Sequence, residues 1–564
     1  MSKPFARVVF VLTAVFFAAF FVWPILQILK GGFLDADGHL TFAFLGAVLS
    51  DPVYLGGLRN AFLLACATTA IALLIALPLA LVSDRFRFPG KNLLSSLVLI
   101  PMILPPFVGA IGIKQIFGQY GALNALLIDL GLRPAGWTFD WFAANQFWGI
   151  VLVQSLSLYP IVYLNAVAAL ANIDPAMEEA AQNLGCTGWR RFRKITLPLI
   201  KPGLFAGGTI VFIWAFTELG TPLIFDYDRV TSVQIFYGLK DIGGNPFPYA
   251  LVSLMLVSAI ALYAIGKGLF GRAGHAMMAK ATSAGGARAL PLLPALLCTA
   301  LFAGVTFCAV LPHVGVALVA FSRDWYATAL PHHFTLENFR IALGHDLTVP
   351  AIANSLKFAS ISTVIDVLLG IAIAYVVVRT RLAGRQVLDF LAMLPLAVPG
   401  LVLAFGYLAM AQEGRFFAFL NPVENPTVLL VIAYSIRRLP YVVRSAAAGF
   451  QQTSETLEEA AQNLGSPPLK ATFKITLPLI AANLIAGGLL AFSFAMLEVS
   501  DSLILAQKQH FYPITKAIME LFQLLGDGQF IASALGVWAM VFLGVVMVGM
   551  TVLLGRKLGA IFRV

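Results

Sequence analysis

Two carboxylates and two guanidinium groups sit where charge is most expensive. Glu218 and Glu498 lie well inside apolar runs at about 204–225 and 484–505, and Arg437 and Arg438 lie near the middle of another, at about 427–448, just before Pro440. Ionisable side chains at such depth usually face a bundle interior or a water-filled path. Glu218 and Glu498 stand 280 residues apart, an offset that recurs below. Two carboxylates meeting near one axis could pass a cation. Equally, either glutamate could pair with Arg437 or Arg438 as a buried ion pair that fixes helix packing. Where the second half has Arg437 and Arg438 the first has Ser157 and Leu158, so a cavity between them is asymmetric. That asymmetry suits an anionic or chelated cargo as well as a bare cation. No bond-making chemistry competes with these readings. The chain has no G-x-x-x-x-G-K-[ST] loop to hold a nucleotide, and no Ser/His/Asp or haem pattern stands out. Cys66, Cys186, Cys298 and Cys308 show neither disulfide nor zinc spacing. His332-His333 reads as an exposed loop rather than a metal site.

The elements that position these groups are membrane helices. Of 564 residues, 60% are hydrophobic and 11% charged, against roughly 25% charged in soluble domains. Apolar runs of about 20 residues, the length that crosses the hydrocarbon core, fall near 8–29, 61–82, 93–113, 147–170, 204–225, 249–267, 292–320, 353–378, 391–410, 427–448, 484–505 and 532–554. These predict about twelve transmembrane helices, an all-α polytopic membrane protein. The first run follows Lys3 and Arg7 but is longer than a signal-peptide core and lacks a clear cleavage site, so it reads as a retained helix. The net charge of +10 reflects topology and not nucleic-acid binding. Arg85, Arg87, Lys91, Arg190, Arg191, Arg193, Lys194, Arg272, Lys280, Arg379, Arg381 and Arg385 all fall on one side when the N-terminus is placed in the cytoplasm, as the positive-inside rule requires. Twelve spans then put both termini in the cytoplasm.

The chain is also internally duplicated. EEAAQNLG occupies 178–185 and again 458–465, and KITLPLI occupies 194–200 and 474–480, both at an offset of 280. Further upstream Asn60, Arg85, Arg87, Gly90, Pro101 and Pro105 match Asn354, Arg379, Arg381, Gly384, Pro395 and Pro399 at an offset of 294. The first half therefore carries about 14 extra residues, in the outer loop 114–146. Six spans per half is an even number, so the halves run the same way through the bilayer as parallel repeats. The expected division is a first half at 1–270 with a cytoplasmic loop at 171–203, a Gly/Ala/Ser-rich linker at 271–290, and a second half at 291–564 with its loop at 451–483. Pro105 and Pro399 inside spans three and nine predict a pair of kinked helices, either ordinary packing kinks or the walls of a central path.

Each repeated loop reads as a short helix along the membrane face. Asp174-Pro175 provides an N-cap and a first-turn proline, AMEEAAQNL is strongly helix-forming, and Gly185 is a natural left-handed stop. In the second copy Ser454 opens the helix and Gly465 ends it. A rigid lever of this kind can carry force into the bundle.

At this point a family resemblance becomes specific. Glu-Ala-Ala, three residues, Gly, nine residues and Ile-x-Leu-Pro resembles the cytoplasmic motif of permease subunits of binding-protein-dependent ABC importers. Glu179, Ala180, Ala181, Gly185, Ile195, Leu197 and Pro198 fit it, as do Glu459, Ala460, Ala461, Gly465, Ile475, Leu477 and Pro478. The resemblance implies the type I importer permease fold, a bacterial inner-membrane location, and a coupling helix in each half. Those helices would dock two copies of a cytoplasmic ATPase through Glu178, Glu179, Ala180, Ala181 and Gly185, and through Glu458, Glu459, Ala460, Ala461 and Gly465. It also implies one periplasmic substrate-binding protein on the outer loops, no cofactor on this chain, and ATP with Mg on the partner. Glu218, Glu498, Arg437, Arg438, Pro105 and Pro399 are the candidate pathway residues. The fused design resembles ferric-iron permeases; permeases for 2-aminoethylphosphonate, thiamine, polyamines and small oxyanions are similar too. An ion-gradient-driven secondary transporter would share the repeats and buried charges but has no use for two docking loops.

Overall fold

The computed structural model describes residues 3–35, 37–103, 105–142, 146–241, 245–270 and 288–554. Most of the expected linker, 271–290, lies outside the described residues; its end, Arg288–Ala289, pairs in parallel with Phe86–Arg87 of the first half.

The helices that position the candidate residues are α1 (Ala6–Phe33), α2 (Pro52–Arg85), α3 (Pro106–Phe117), α4 (Gln146–Ala171), α5 (Pro175–Asn183), α6 (Leu197–Thr217), α7 (Gly220–Ile224), α8 (Phe247–Ile265), α9 (Leu292–Phe321), α10 (Thr348–Arg379), α11 (Gly400–Met410), α12 (Thr427–Gln452), α13 (Thr456–Asn463), α14 (Ala481–Met496), α15 (Ser500–Leu505) and α16 (Gly528–Gly549). Among the described residues 8 helices are long and apolar enough to cross a membrane, or up to 11 spans if each of three bent pairs counts as one. The sequence alone suggested twelve. The shortfall falls on α12, which is 26 residues long but carries Arg437, Arg438 and Arg444 and so is less apolar than the others.

Within the first half α4 and α6 pack on α2; within the second, α12 and α14 pack on α10. The leading helices lean across. α1 contacts α10 and α11, and α9 packs along α3. The α3–α9 crossing needs glycine on both sides, since a Cβ on Gly315 would lie 2.9 Å from Gly112 Cα. One apolar cluster joins the halves and includes Phe107, Phe216, Leu219, Phe405, Tyr434 and Leu503. Leu74, Phe307, Val364 and Leu368 point outward, which is stable only against lipid or another apolar surface.

Candidate functional site

Four interruptions in the helices meet at one cavity. Pro105 (φ −57°, ψ 138°) and Pro399 (φ −58°, ψ 137°) hold the same extended conformation directly before α3 and α11. Arg385–Leu396 and α11 are bent by 100° across the second of these breaks. Pro is suited to this role because it fixes φ and cannot donate to a continuing helix. The other two breaks fall at the glutamates. Glu218 follows the end of α6 and precedes α7; Glu498 lies between α14 and α15. Each break frees a backbone carbonyl, and hydroxyls take both: Ser232 Oγ donates to the Glu218 carbonyl at 2.6 Å, and Thr515 Oγ1 and Ser502 Oγ each donate to the Glu498 carbonyl at 2.6 Å. A broken helix at membrane depth survives only with such satisfaction.

The cavity has a volume of about 130 Å³ and is lined from both halves, by Pro105, Gln154, Ser157 and Glu218 and by Gly400, Arg437, Arg438 and Glu498. Of the six pathway candidates, only Pro399 is not part of the wall, and its neighbour Gly400 is.

The two glutamates are electrostatically unlike. Glu498 Oε1 accepts from Arg437 Nη1 at 2.5 Å, and Glu498 Oε2 pairs with Arg438 Nη2. Arg437 Nη1 also lies 3.2 Å from Asp501 Oδ2, and Arg438 Nη2 donates to the Phe494 carbonyl at 3.1 Å. Glu218 Oε1 accepts from the backbone N–H of Thr221 at 3.2 Å and from its hydroxyl at 3.3 Å, the backbone N–H of Gly220 also serves the carboxylate, and Glu218 has no cationic partner among the described residues. The ion-pair reading therefore fits Glu498, and the open-carboxylate reading stays available to Glu218. Asp501, fully buried one turn after Glu498, was missed from sequence; its signal was a second acid in the same apolar run.

The Arg437 guanidinium passes directly over Gly400, where a Cβ would collide with it. Replacing Gly400 with Ala is expected to push Arg437 off Glu498 and Asp501 and to lower the unfolding temperature of the purified chain clearly. The same change at half-buried Gly56, where a Cβ would meet open space, should leave that temperature unchanged.

The repeated loops are organised by an inward and an outward glutamate. In the first, Asp174 caps α5 by accepting from Ala176 N–H at 3.0 Å, and Gly185 (φ +75°) reverses the chain. In the second, Ser454 Oγ accepts from Thr456 N–H at 3.3 Å, and Gly465 has φ +84°. Glu178 turns inward: its Oε1 accepts from Thr196 Oγ1 at 2.7 Å and pairs with Arg85 Nη2, which itself donates to Thr196 Oγ1 at 2.8 Å. Glu458 does the same with Thr476 Oγ1 at 2.5 Å and Arg379 Nε at 3.7 Å. Ala181 is buried and Ala461 half-buried behind them. Glu179, Ala180, Glu459 and Ala460 are exposed, beside Leu184 and Leu464 at 87% and 90% exposure. Two leucines so bare on matching helix ends form paired apolar contact points. The threonines were not singled out in the sequence, although both lie inside the repeated KITLPLI segment.

The sequence pattern of the family described as "Binding-protein-dependent transport system inner membrane component" matches residues 72–273 and again 366–559. The chain is 27% identical over 514 residues to a protein of Haemophilus influenzae described as a ferric transport system permease, covering 88% of this chain and 77% of that one. It is 26% identical over 503 residues to the ferric transport system permease protein of Actinobacillus pleuropneumoniae, covering 85% and 69%. A shorter relative, the molybdenum transport system permease protein of Escherichia coli, is 31% identical over 185 residues, 32% of this chain and 74% of the relative.

Proposed function

The chain belongs to the family of binding-protein-dependent transport system inner membrane components, and from that premise we propose that it is the fused permease of an ATP-driven importer whose cargo is ferric iron. A permease of this family is a transport subunit and not an enzyme; hydrolysis of ATP, with its Mg, falls to a partner. The observation that carries the reading is the pair of outward loop faces. Glu179, Ala180 and Leu184 are reproduced by Glu459, Ala460 and Leu464, exposed in the same pattern. Two equal faces fit two copies of one cytoplasmic ATPase. Glu178, Ala181 and Gly185, with Glu458, Ala461 and Gly465, hold those faces in place.

The double family match and the shorter relative support a division at 1–270, 271–290 and 291–564. It gives two parallel six-span repeats, twelve spans with α12 counted, both termini in the cytoplasm, and a bacterial inner-membrane location. The unequal outer loops suit one periplasmic binding protein. The central cavity, with Glu218, Glu498, Arg437, Arg438 and the breaks at Pro105 and Pro399, lies on the path between the halves. Ferric iron is the cargo because it is named for two relatives aligned over most of this chain.

Purification of the tagged chain from its own membranes tests the first part. An ABC ATPase is expected to come with it, and Leu184→Asp together with Leu464→Asp is expected to release that ATPase while the chain stays in the membrane. Liposomes holding the complex should take up radioactive Fe³⁺ from the loaded binding protein only with ATP. Uptake driven by an ion gradient without any ATPase would make the chain a secondary transporter. ATP-dependent uptake of 2-aminoethylphosphonate, thiamine or a polyamine in place of iron would keep the machine and replace the cargo.

A further inference from the structure

We infer that the cavity is one-sided: Glu218, in the first half, is the carboxylate that meets a cationic cargo, and Glu498, its counterpart, is a wall. The inference rests on the reading of the cavity as part of the pathway.

The charges decide the assignment. Arg437 and Arg438 face the carboxyl groups of Glu498 and Asp501, every one buried or nearly so. The groups of that cluster face each other. Both guanidinium groups are spoken for by carboxylates, so they offer an anionic cargo little. Asp366, fully buried on α10 near Ser435, does not line the cavity. What remains in the wall is the Glu218 carboxylate, held by Thr221 and the Gly220 backbone and by no cation among the described residues. An unopposed negative charge in a poorly solvated cavity attracts a cation strongly, because the local dielectric screens it weakly.

The space beside Glu218 exists for a physical reason. At the positions where the second half places Arg437 and Arg438, the first half has Ser157 and Leu158, and both line the cavity. A guanidinium is thus exchanged for a small hydroxyl and an aliphatic group, and the volume it would fill is open. Gln154, one turn before Leu158, is 1% exposed and also lines the cavity. Its Oε1 accepts from Thr68 at 3.3 Å, while its Nε2 has no hydrogen-bond partner among the described residues. A buried donor is rarely left so. A cation arriving with water or another oxygen ligand would satisfy both groups: Glu218 faces the charge, and Gln154 Nε2 donates to the accompanying oxygen. About 130 Å³ holds several waters, so the cargo need not be stripped bare.

The test uses the whole chain with its ATPase and binding protein in liposomes, with Fe³⁺ on the binding protein as probe. Glu218→Gln keeps an acceptor oxygen for Thr221 and removes the charge. It is expected to cut ATP-dependent Fe³⁺ uptake at least tenfold, while the ATPase still co-purifies and the unfolding temperature is unchanged. Glu218→Asp should restore part of the uptake. Ser157→Arg, which copies the second half's arginine into the first, should block uptake as strongly. Normal uptake by Glu218→Gln in a folded complex overturns the inference, as does normal uptake by Ser157→Arg. Failure of the wild-type complex to move Fe³⁺ at all would instead overturn the cargo assignment.

Discussion

Replacing Glu498 with alanine will destabilise the chain more than any other single change in the cavity. Among the described residues its carboxylate is the one that forms ion pairs with both Arg437 and Arg438. Without it Asp501 is left to face Arg437, and Arg438 keeps the Phe494 carbonyl and ring and the more distant Asp366. Truncating one partner of a buried pair costs about 3–5 kcal/mol, because the remaining charge stays buried and uncompensated. The measurement is the unfolding temperature and recovered yield of purified chain in detergent. Glu218→Ala is the matched control. It removes a carboxylate with no cationic partner, so it should fold like the wild type. A combined change to Arg437→Met, Arg438→Met, Glu498→Leu and Asp501→Asn should recover most of the loss, since an apolar replacement of a whole ion cluster is often close to neutral. Equal stability of the Glu498→Ala and Glu218→Ala chains would mean that the arginines are hydrated from the cavity and that the cluster is not structural.

The contrast between those glutamates marks the limit of what the sequence carried. Depth and spacing showed that Glu218 and Glu498 were equivalent and that only the second half carries the arginines, with Ser157 and Leu158 at the matching positions of the first. The pairing itself was open, because apolar periodicity does not say which faces of α12 and α14 meet. Prolines 105 and 399 were legible as interruptions, yet whether they bent a packing contact or lined a path needed the positions of α4 and α6. The loop helices were the most legible elements, since caps, helix formers and a glycine stop all agree there. Even so, sequence could not separate Glu178 from Glu179. Adjacent residues on a helix point about 100° apart, and the residue that claims one of them, Arg85, is 93 positions away. The offset changes between Arg85 and Glu178, which hid the fact that Arg85–Glu178 and Arg379–Glu458 are one pairing made twice.

That pairing leads to the second large effect. Changing Glu178 and Glu458 to glutamine together is expected to leave the ATPase bound and hydrolysing ATP while iron moved per ATP falls by roughly tenfold or more. Each inward glutamate ties three elements at one point. Arg85 is the last residue of α2, Glu178 lies on α5, and Thr196 ends the helical turn that runs into α6; Arg379, Glu458 and Thr476 hold the matching places on α10, α13 and the turn before α14, where Arg379 also pairs with Glu455 at 3.3 Å. The far ends of α6 and α14 are the breaks at Glu218 and Glu498. In the first half a push on the loop helix therefore reaches the cavity along one continuous helix, Gly188–Thr217, provided the knot holds; in the second the path bends by 68° between Thr472–Leu479 and α14. Glutamine keeps an acceptor for the threonine and loses the ionic contact. A hydrogen bond to a charged group contributes about 1.5–3 kcal/mol, and about 1.4 kcal/mol is a factor of ten in the population of the tied state. The second knot is drier, with Arg379 and Glu458 at 6% and 7% exposure against 21% and 20% for Arg85 and Glu178, so Glu458→Gln alone should uncouple more than Glu178→Gln alone. Because Glu179, Leu184, Glu459 and Leu464 are untouched, binding of the ATPase separates docking from transmission. Release of the ATPase by the glutamine pair would place Glu178 and Glu458 in the docking contact itself, and an unchanged ratio of iron to ATP would show that the loops transmit force without the knot.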